Sequence, residues 1–230
     1  MILEVIATCM DDALTAEANG ADRLELITAI TEGGLTPGIG LVEQVVQAVR
    51  IPVFVMVRPH SRSFVYAEHD IDTMALEIKA IVKAGAAGLV LGALTPEGKI
   101  DEQALNRLLP LTGGLQVTFH RAFDELADQH EGLQTLMKYP QITRVLTSAG
   151  RRPAIESVKE MADLVAAAGE SNLTILAGSG LSTEGIAEFI AKTGVGEVHF
   201  GSAVRYNKSN LSPIKASTLR LLADNVHQVR

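Results

Sequence analysis

The stretch "NGADRLEL" (19–26) decides the fold, because its plan recurs along the chain. "AGAAGLVL" (84–91) and "TGVGEVHF" (193–200) repeat it: a glycine where a helix would stop, then a short apolar run three residues on. Gly is favoured just past a helix end because it takes the left-handed conformation without a Cβ clash. Each copy therefore marks a junction from helix to strand. Working outward from these junctions, short apolar runs near 2–7, 23–27, 52–57, 88–92, 115–119, 142–147, 173–177 and 197–200 read as strands. Between them, helical patterns fall near 10–19, 39–49, 71–84, 101–109, 131–138, 154–168 and 182–192, with a last one near 213–227. Strict alternation of this kind builds a parallel sheet. Eight units in 230 residues predict an α/β fold of the (β/α)8 TIM-barrel type, with a doubly wound open sheet as the alternative. No linker or low-complexity segment interrupts the series, so residues 1–230 are expected to form a single domain, with residues 58–69 as its longest loop.

Composition narrows the function classes. The chain is 47% hydrophobic, with 20 basic and 27 acidic residues and a net charge of −7. That balance argues against a nucleic-acid surface, which needs clustered Lys and Arg. No polybasic run suggests a membrane surface, and no apolar run approaches a bilayer span. The opening "MILEVIATCMDD" has no positive leader region and does not read as a signal peptide, so a cytoplasmic location is expected. A single cysteine, Cys9, allows no disulfide framework within the chain.

In an (α/β) barrel the site lies at the C-terminal ends of the strands. Polar residues therefore matter when they sit inside or just after a strand. Glu4 lies within "ILEVIA", Glu25 within "RLELI", and Arg58 just past strand 3. "VTFHRAFD" (117–124) runs an apolar strand straight into His120 and Arg121, with Asp124 close behind. Strand 6 ends at Thr147 and Ser148, and strand 8 carries His199. Charges in an apolar setting cost several kcal/mol unless paired, so Glu4 and Glu25 are expected to point inward and meet Arg58, His120 or Arg121. Two outcomes fit: a structural ion-pair network plugging the barrel, or a polar pocket in which His120 exchanges protons near working pH. "LAGSGLSTEG" (176–185) and "FGSAVR" (200–205) add glycine turns after strands 7 and 8, where many barrels bind phosphate. Gly178, Ser179, Gly180, Gly201 and Ser202 are thus candidate anion-binding residues, with Ser182 or Thr183 expected to cap the helix that follows. His60, His69 and His130 have no metal-ligand spacing, and a lone Cys9 near a barrel mouth reads as a small hydrophobe.

"LEVIA", "NGADRLEL", "EGGLTPGIG", "RPHSRSF", "VTFHRAFD", "RVLTS" and "EVHFGSA" occur in the order in which the CutC copper homeostasis proteins carry them. The chain resembles that family from Leu3 to about Ala203. The resemblance implies a cytoplasmic TIM barrel, a homodimer or larger homo-oligomer, and copper as the bound species. It also implies that Glu4, Glu25, Arg58, His120, Arg121, Asp124 and Ser148 match the family's shared polar positions. Some positions depart from the pattern. Family members credited with copper binding carry cysteines where this chain has Ile6 and Ile27. The arginine loop, usually Arg-Pro-Arg-Gly-Gly-Asp-Phe, reads "RPHSRSF", with His60 gained and the carboxylate replaced by Ser63. Gly38 and Ala149 stand where Ser and Gly are usual. Three readings follow: a copper-homeostasis protein without the cysteine pair; an enzyme or binding protein for a small anionic metabolite, centred on His120, Glu4, Glu25 and Arg58; or a barrel kept as a scaffold for partners.

Overall fold

The computed structural model describes residues 1–150, 153–169 and 171–229. Eight parallel strands close on themselves: β1 (Ile2–Ala7), β2 (Arg23–Leu26), β3 (Val53–Met56), β4 (Gly88–Leu91), β5 (Gln116–Phe119), β6 (Ile142–Thr147), β7 (Thr174–Ala177) and β8 (Glu197–Phe200). β8 pairs with β1, with Leu3 beside Val198, so the open-sheet alternative is excluded. Eight helices follow the strands in turn: α1 (Met10–Ala18), α2 (Ile39–Ala48), α3 (Glu68–Lys83), α4 (Glu102–Leu108), α5 (Gln129–Leu136), α6 (Val158–Ala168), α7 (Ile186–Thr193) and α8 (Ala216–Gln228).

Alternation along each strand splits the barrel into two interiors. Leu3, Val5 and Ala7 on β1, with Leu24 and Leu26 on β2, face the helices and belong to the main apolar core. The opposite residues of the same strands face the barrel axis. There the apolar cluster is small, with Ile27, Phe54, Met56 and Val90 buried together and Ile6 and Ile30 beside them.

Several helix starts differ from the sequence reading, three of them for a visible local reason. α3 begins at Glu68, earlier than expected, because the Asp70 carboxylate reaches back to accept the Ala67 N–H at 3.0 Å. Residues 154–156 form a 3-10 turn, and Ser157 (φ −111°, ψ 34°) breaks the chain before α6. α7 is not capped by Ser182 or Thr183. It begins at Ile186 behind Gly185, whose φ is 78°, and the Ser182 hydroxyl donates to the Glu184 carbonyl instead. Short hydroxyl side chains bond their own turn as readily as a helix end, and here the local bond wins.

Candidate functional site

Inside the barrel, strand register brings charges together. Glu4 lies beside Arg23 on β2 and beside His199 on β8. The Arg23 guanidinium bonds Glu4 and also Glu197, the latter at 2.5 Å. Arg144 on β6 donates to Glu197 at 3.0 Å and to Gln116 at 2.8 Å. The Phe54 ring takes both guanidiniums as cation–π partners, Arg23 at 5.1 Å and Arg144 at 5.0 Å. His199 completes the row: its Nδ1 is 2.7 Å from Glu4 Oε1 and its Nε2 is 3.7 Å from Glu25 Oε2. Burial would raise the Glu4 carboxyl, but Arg23 and His199 outweigh it and hold it at about 2. Glu25, with weaker compensation and Glu4 nearby, is pushed up by burial to about 7. Burial pulls His199 down, yet Glu25 and Glu4 more than offset this and the net shift is upward.

Above this polar floor a cavity of about 490 Å³ opens at the C-terminal ends of the strands. Glu25 and His199 lie at its base, Ile6, Ile27, Met56 and Leu146 line it with apolar surface, and Arg58, His120 and Arg121 bring the polar groups. Arg58 Nη1 donates to the carbonyls of Glu32 (3.1 Å) and Gly34 (3.2 Å), its guanidinium stacks 4.5 Å over Phe64, and its Nε has no partner. Phe64 in turn packs 4.8 Å from the His120 ring. His120 Nδ1 accepts the Ala122 N–H at 3.2 Å, which leaves Nε2 buried without a partner. Burial, reinforced by Arg58 and Arg121, lowers His120 to about 3. The imidazole is therefore neutral at ordinary pH, and the expectation of a group titrating near working pH is corrected. Both imidazoles seat on glycines. A Cβ on Gly92 would come within 2.7 Å of His120 Nδ1, and one on Gly178 within 3.2 Å of His199.

Of the residues singled out from the sequence, Glu25, Arg58, His120, Arg121, Ser179, Gly180, Gly201 and Ser202 line the cavity. Glu4 lies beneath it, fully buried. Among the described residues Glu4 and Glu25 make no ion pair with Arg58, His120 or Arg121; Glu4 pairs with Arg23 and His199, and Glu25 with His199. Asp124 and Ser148 form a clamp beside the cavity. The Asp124 carboxylate accepts the Ser148 N–H and hydroxyl, each at 3.0 Å, the Gly150 N–H at 3.3 Å and Arg121 Nε at 2.9 Å. Gly178 spends its N–H on the Thr147 carbonyl at 2.9 Å, so its part is to make room for His199. Cys9 is exposed at the start of α1, not packed as a small hydrophobe, and it lies outside the cavity lining. Sequence reasoning placed His199 on its strand without giving it a role, and missed Arg23, Arg144 and Glu197. The signal was there: Arg23/Glu25 and Glu197/His199 each sit two apart on a strand, hence on one face.

The non-glycine residues with positive φ among those described are Ala29, Ala149, Ser179, Asn207 and Lys208, all in segments that follow strands. Backbone held in this sparsely populated region concentrates where a surrounding site fixes it. The donors at the cavity base are oxygen and nitrogen: Glu4, Glu25 and His199 offer ligand atoms all within 4.8 Å of one another. Ile6 and Ile27 stand where the resemblance puts cysteines, and Met56 supplies the sulfur nearest to hand in the lining.

The fold and the site together define a TIM-type barrel with a cavity at the strand C-termini. The chain belongs to the CutC family, whose model matches residues 1–204. A CutC family protein of Mesorhizobium japonicum is 40% identical over 201 residues, covering 87% of this chain and 77% of that protein. The Homo sapiens relative, named copper homeostasis protein cutC homolog, is 37% identical over 198 residues, covering 86% and 72%. The solved structure of a CutC protein from Streptococcus agalactiae matches with a TM-score of 0.81 at 32% identity, over 86% of this chain and 97% of that one. A phosphoribosyl anthranilate isomerase from Thermococcus kodakaraensis, at 16% identity and a TM-score of 0.64 over 99% of each chain, shares the fold. No helix among the described residues is long and apolar enough to cross a membrane.

Proposed function

We propose that this chain serves copper homeostasis by binding copper, and that the cavity at the strand C-termini is where it works. The observation that carries the reading is the set of buried polar atoms without partners on the cavity's own residues: Glu25 Oε1, Arg58 Nε, His120 Nε2 and Arg121 Nη2. Leaving such atoms unmatched costs about 1–3 kcal/mol each, more when charged, so they are kept for a ligand. The family's name supplies copper, which Glu25 and His120 would ligate, while the guanidinium N–H groups of Arg58 and Arg121 would meet an anion accompanying it. Thiolate coordination of Cu(I) does not fit, since Cys9 is exposed outside the cavity and Ile6 and Ile27 line it. Glu4, Glu25, Arg58, His120 and Arg121 would form the site, with Asp124 and Ser148 holding its loops. The test is complementation. A cell lacking the chain should regain copper tolerance and normal copper content with wild type and with Cys9→Ala, but not with Arg58→Met. Full rescue by Arg58→Met would remove the cavity from the copper role.

One observation favours a second ligand class, a small anionic metabolite. Arg58 and Arg121 carry unpaired N–H groups, and the Gly180 and Gly201 turns line the same cavity. Thermal-shift screening against phosphorylated sugars and carboxylic acids tests it, with His120→Ala as control; stabilisation that persists in the control would move the ligand away from this cavity. The copper reading includes a cytoplasmic homo-oligomer. Exposed Leu14 on α1 and Leu221 on the adjoining α8 support self-association, and sedimentation of wild type against Leu221→Glu measures it.

A further inference from the structure

The Glu4–His199–Glu25 row runs from the ionic plug up to the cavity. The guanidiniums of Arg23 and Arg144 pair with Glu4 and Glu197. Among the described residues neither guanidinium bonds Glu25, the cavity end of the row. Glu25 is 3% exposed, lines the cavity, and leaves Oε1 without a partner. His199 stands next to it in a fixed orientation. Glu4 bonds Arg23 as a carboxylate and can only accept, so His199 Nδ1 donates to Glu4 and Nε2 is turned toward Glu25. The 3.7 Å between His199 Nε2 and Glu25 Oε2 is too long for a hydrogen bond. It suits a metal ion: with bonds of about 2.0–2.2 Å, one ion joins donors up to roughly 4 Å apart.

We propose that Glu25 and His199 bind a divalent first-row cation at the cavity floor, with Glu4 as the outer carboxylate that orients the imidazole. A ligating histidine characteristically donates its second ring N–H to a carboxylate, which is the arrangement Glu4 provides, itself anchored by Arg23. Carboxylate and imidazole donors select Cu(II) or Zn(II) over Cu(I), and Cu(II) binds most tightly in the first-row series. The remaining coordination positions face the cavity, where Arg58 and Arg121 would meet an anionic co-ligand of the ion. The inference deepens the copper reading and rests on it only for the choice of metal.

The experiment titrates the full chain, stripped of metal, with Cu(II) and separately with Zn(II) against a chelator of known affinity. One ion per chain is expected, with Cys9→Ala equal to wild type. Glu25→Gln and His199→Gln should each weaken binding ~10-fold or more, and Glu4→Gln by about 10- to 100-fold. Wild-type affinity in folded Glu25→Gln and His199→Gln, or loss of binding in Cys9→Ala, overturns the site. If a variant does not fold, Cu(II)-soaked crystals of wild type decide: anomalous density between Glu25 and His199 supports the site, and density elsewhere alone overturns it. Two further outcomes separate the site from the role. Cation binding here with normal copper tolerance in Glu25→Gln cells keeps the site and removes the copper role. Tolerance that needs Glu25 while no cation binds keeps the role and removes the site.

Discussion

His120 shows how a single residue's environment sets its chemistry. A histidine at the end of a strand suggests proton exchange, but burial and two neighbouring guanidiniums hold it neutral with a pKa of about 3. Its folded value lies below the ordinary 6.5, so the unfolded chain takes up a proton first as pH falls. The associated stability is full above pH 6.5 and is lost toward about 3, at roughly 1.4 kcal/mol per pH unit across that window. Subtracting the urea-unfolding profile of His120→Gln from that of wild type isolates this component; a flat difference would mean that the imidazole is solvated. Gly92 makes the companion case. Gly92→Ala puts a Cβ 2.7 Å from His120 Nδ1 and 3.1 Å from the Phe119 ring, with both neighbours packed. It should cost about 1–3 kcal/mol, measured by denaturant unfolding, and should weaken whatever the cavity binds.

At the scale of elements, the loops after β5 and β6 are held as one piece by Asp124. Its carboxylate takes bonds from Arg121, Ser148 and Gly150, which satisfies backbone N–H groups that no strand or helix pairs. Asp124→Ala leaves these donors unmatched, at about 1–3 kcal/mol. Hydrogen exchange should then quicken at the Ser148 and Gly150 amides while the amides of β5 and β6 stay protected. Equal protection in the variant would show that packing of Phe119 and Phe123, both fully buried, holds the loops by itself. α7 and α6 teach a related lesson. Their apolar periodicity was readable, but their first residues were not, because a cap is settled by which of several nearby bonds the backbone can reach.

For the whole molecule, the barrel interior divides into an ionic plug and, above it, a cavity lined by a neutral His120. The plug is buried, so removing one partner strands the others: Arg23→Met should destabilise by about 3–5 kcal/mol in urea unfolding. Buried pairs are screened little by salt. The wild-type loss on Arg23→Met should therefore change little between low and high ionic strength, and a loss that disappears in high salt would place these charges in water.

The sequence by itself determined the eight-unit barrel, the end at which its cavity opens and eight of the residues around that cavity. Those features follow from local periodicity and from the rule that strands of such a barrel run in parallel, which need no knowledge of distant partners. Who pairs with whom was decided only by the closed sheet. Glu4 meets His199 across 195 residues because β8 closes onto β1 in one register, and Arg23 bridges Glu4 and Glu197 for the same reason. A shift of one residue would turn these side chains toward the helices, so the charge network belongs to the register and not to any single segment.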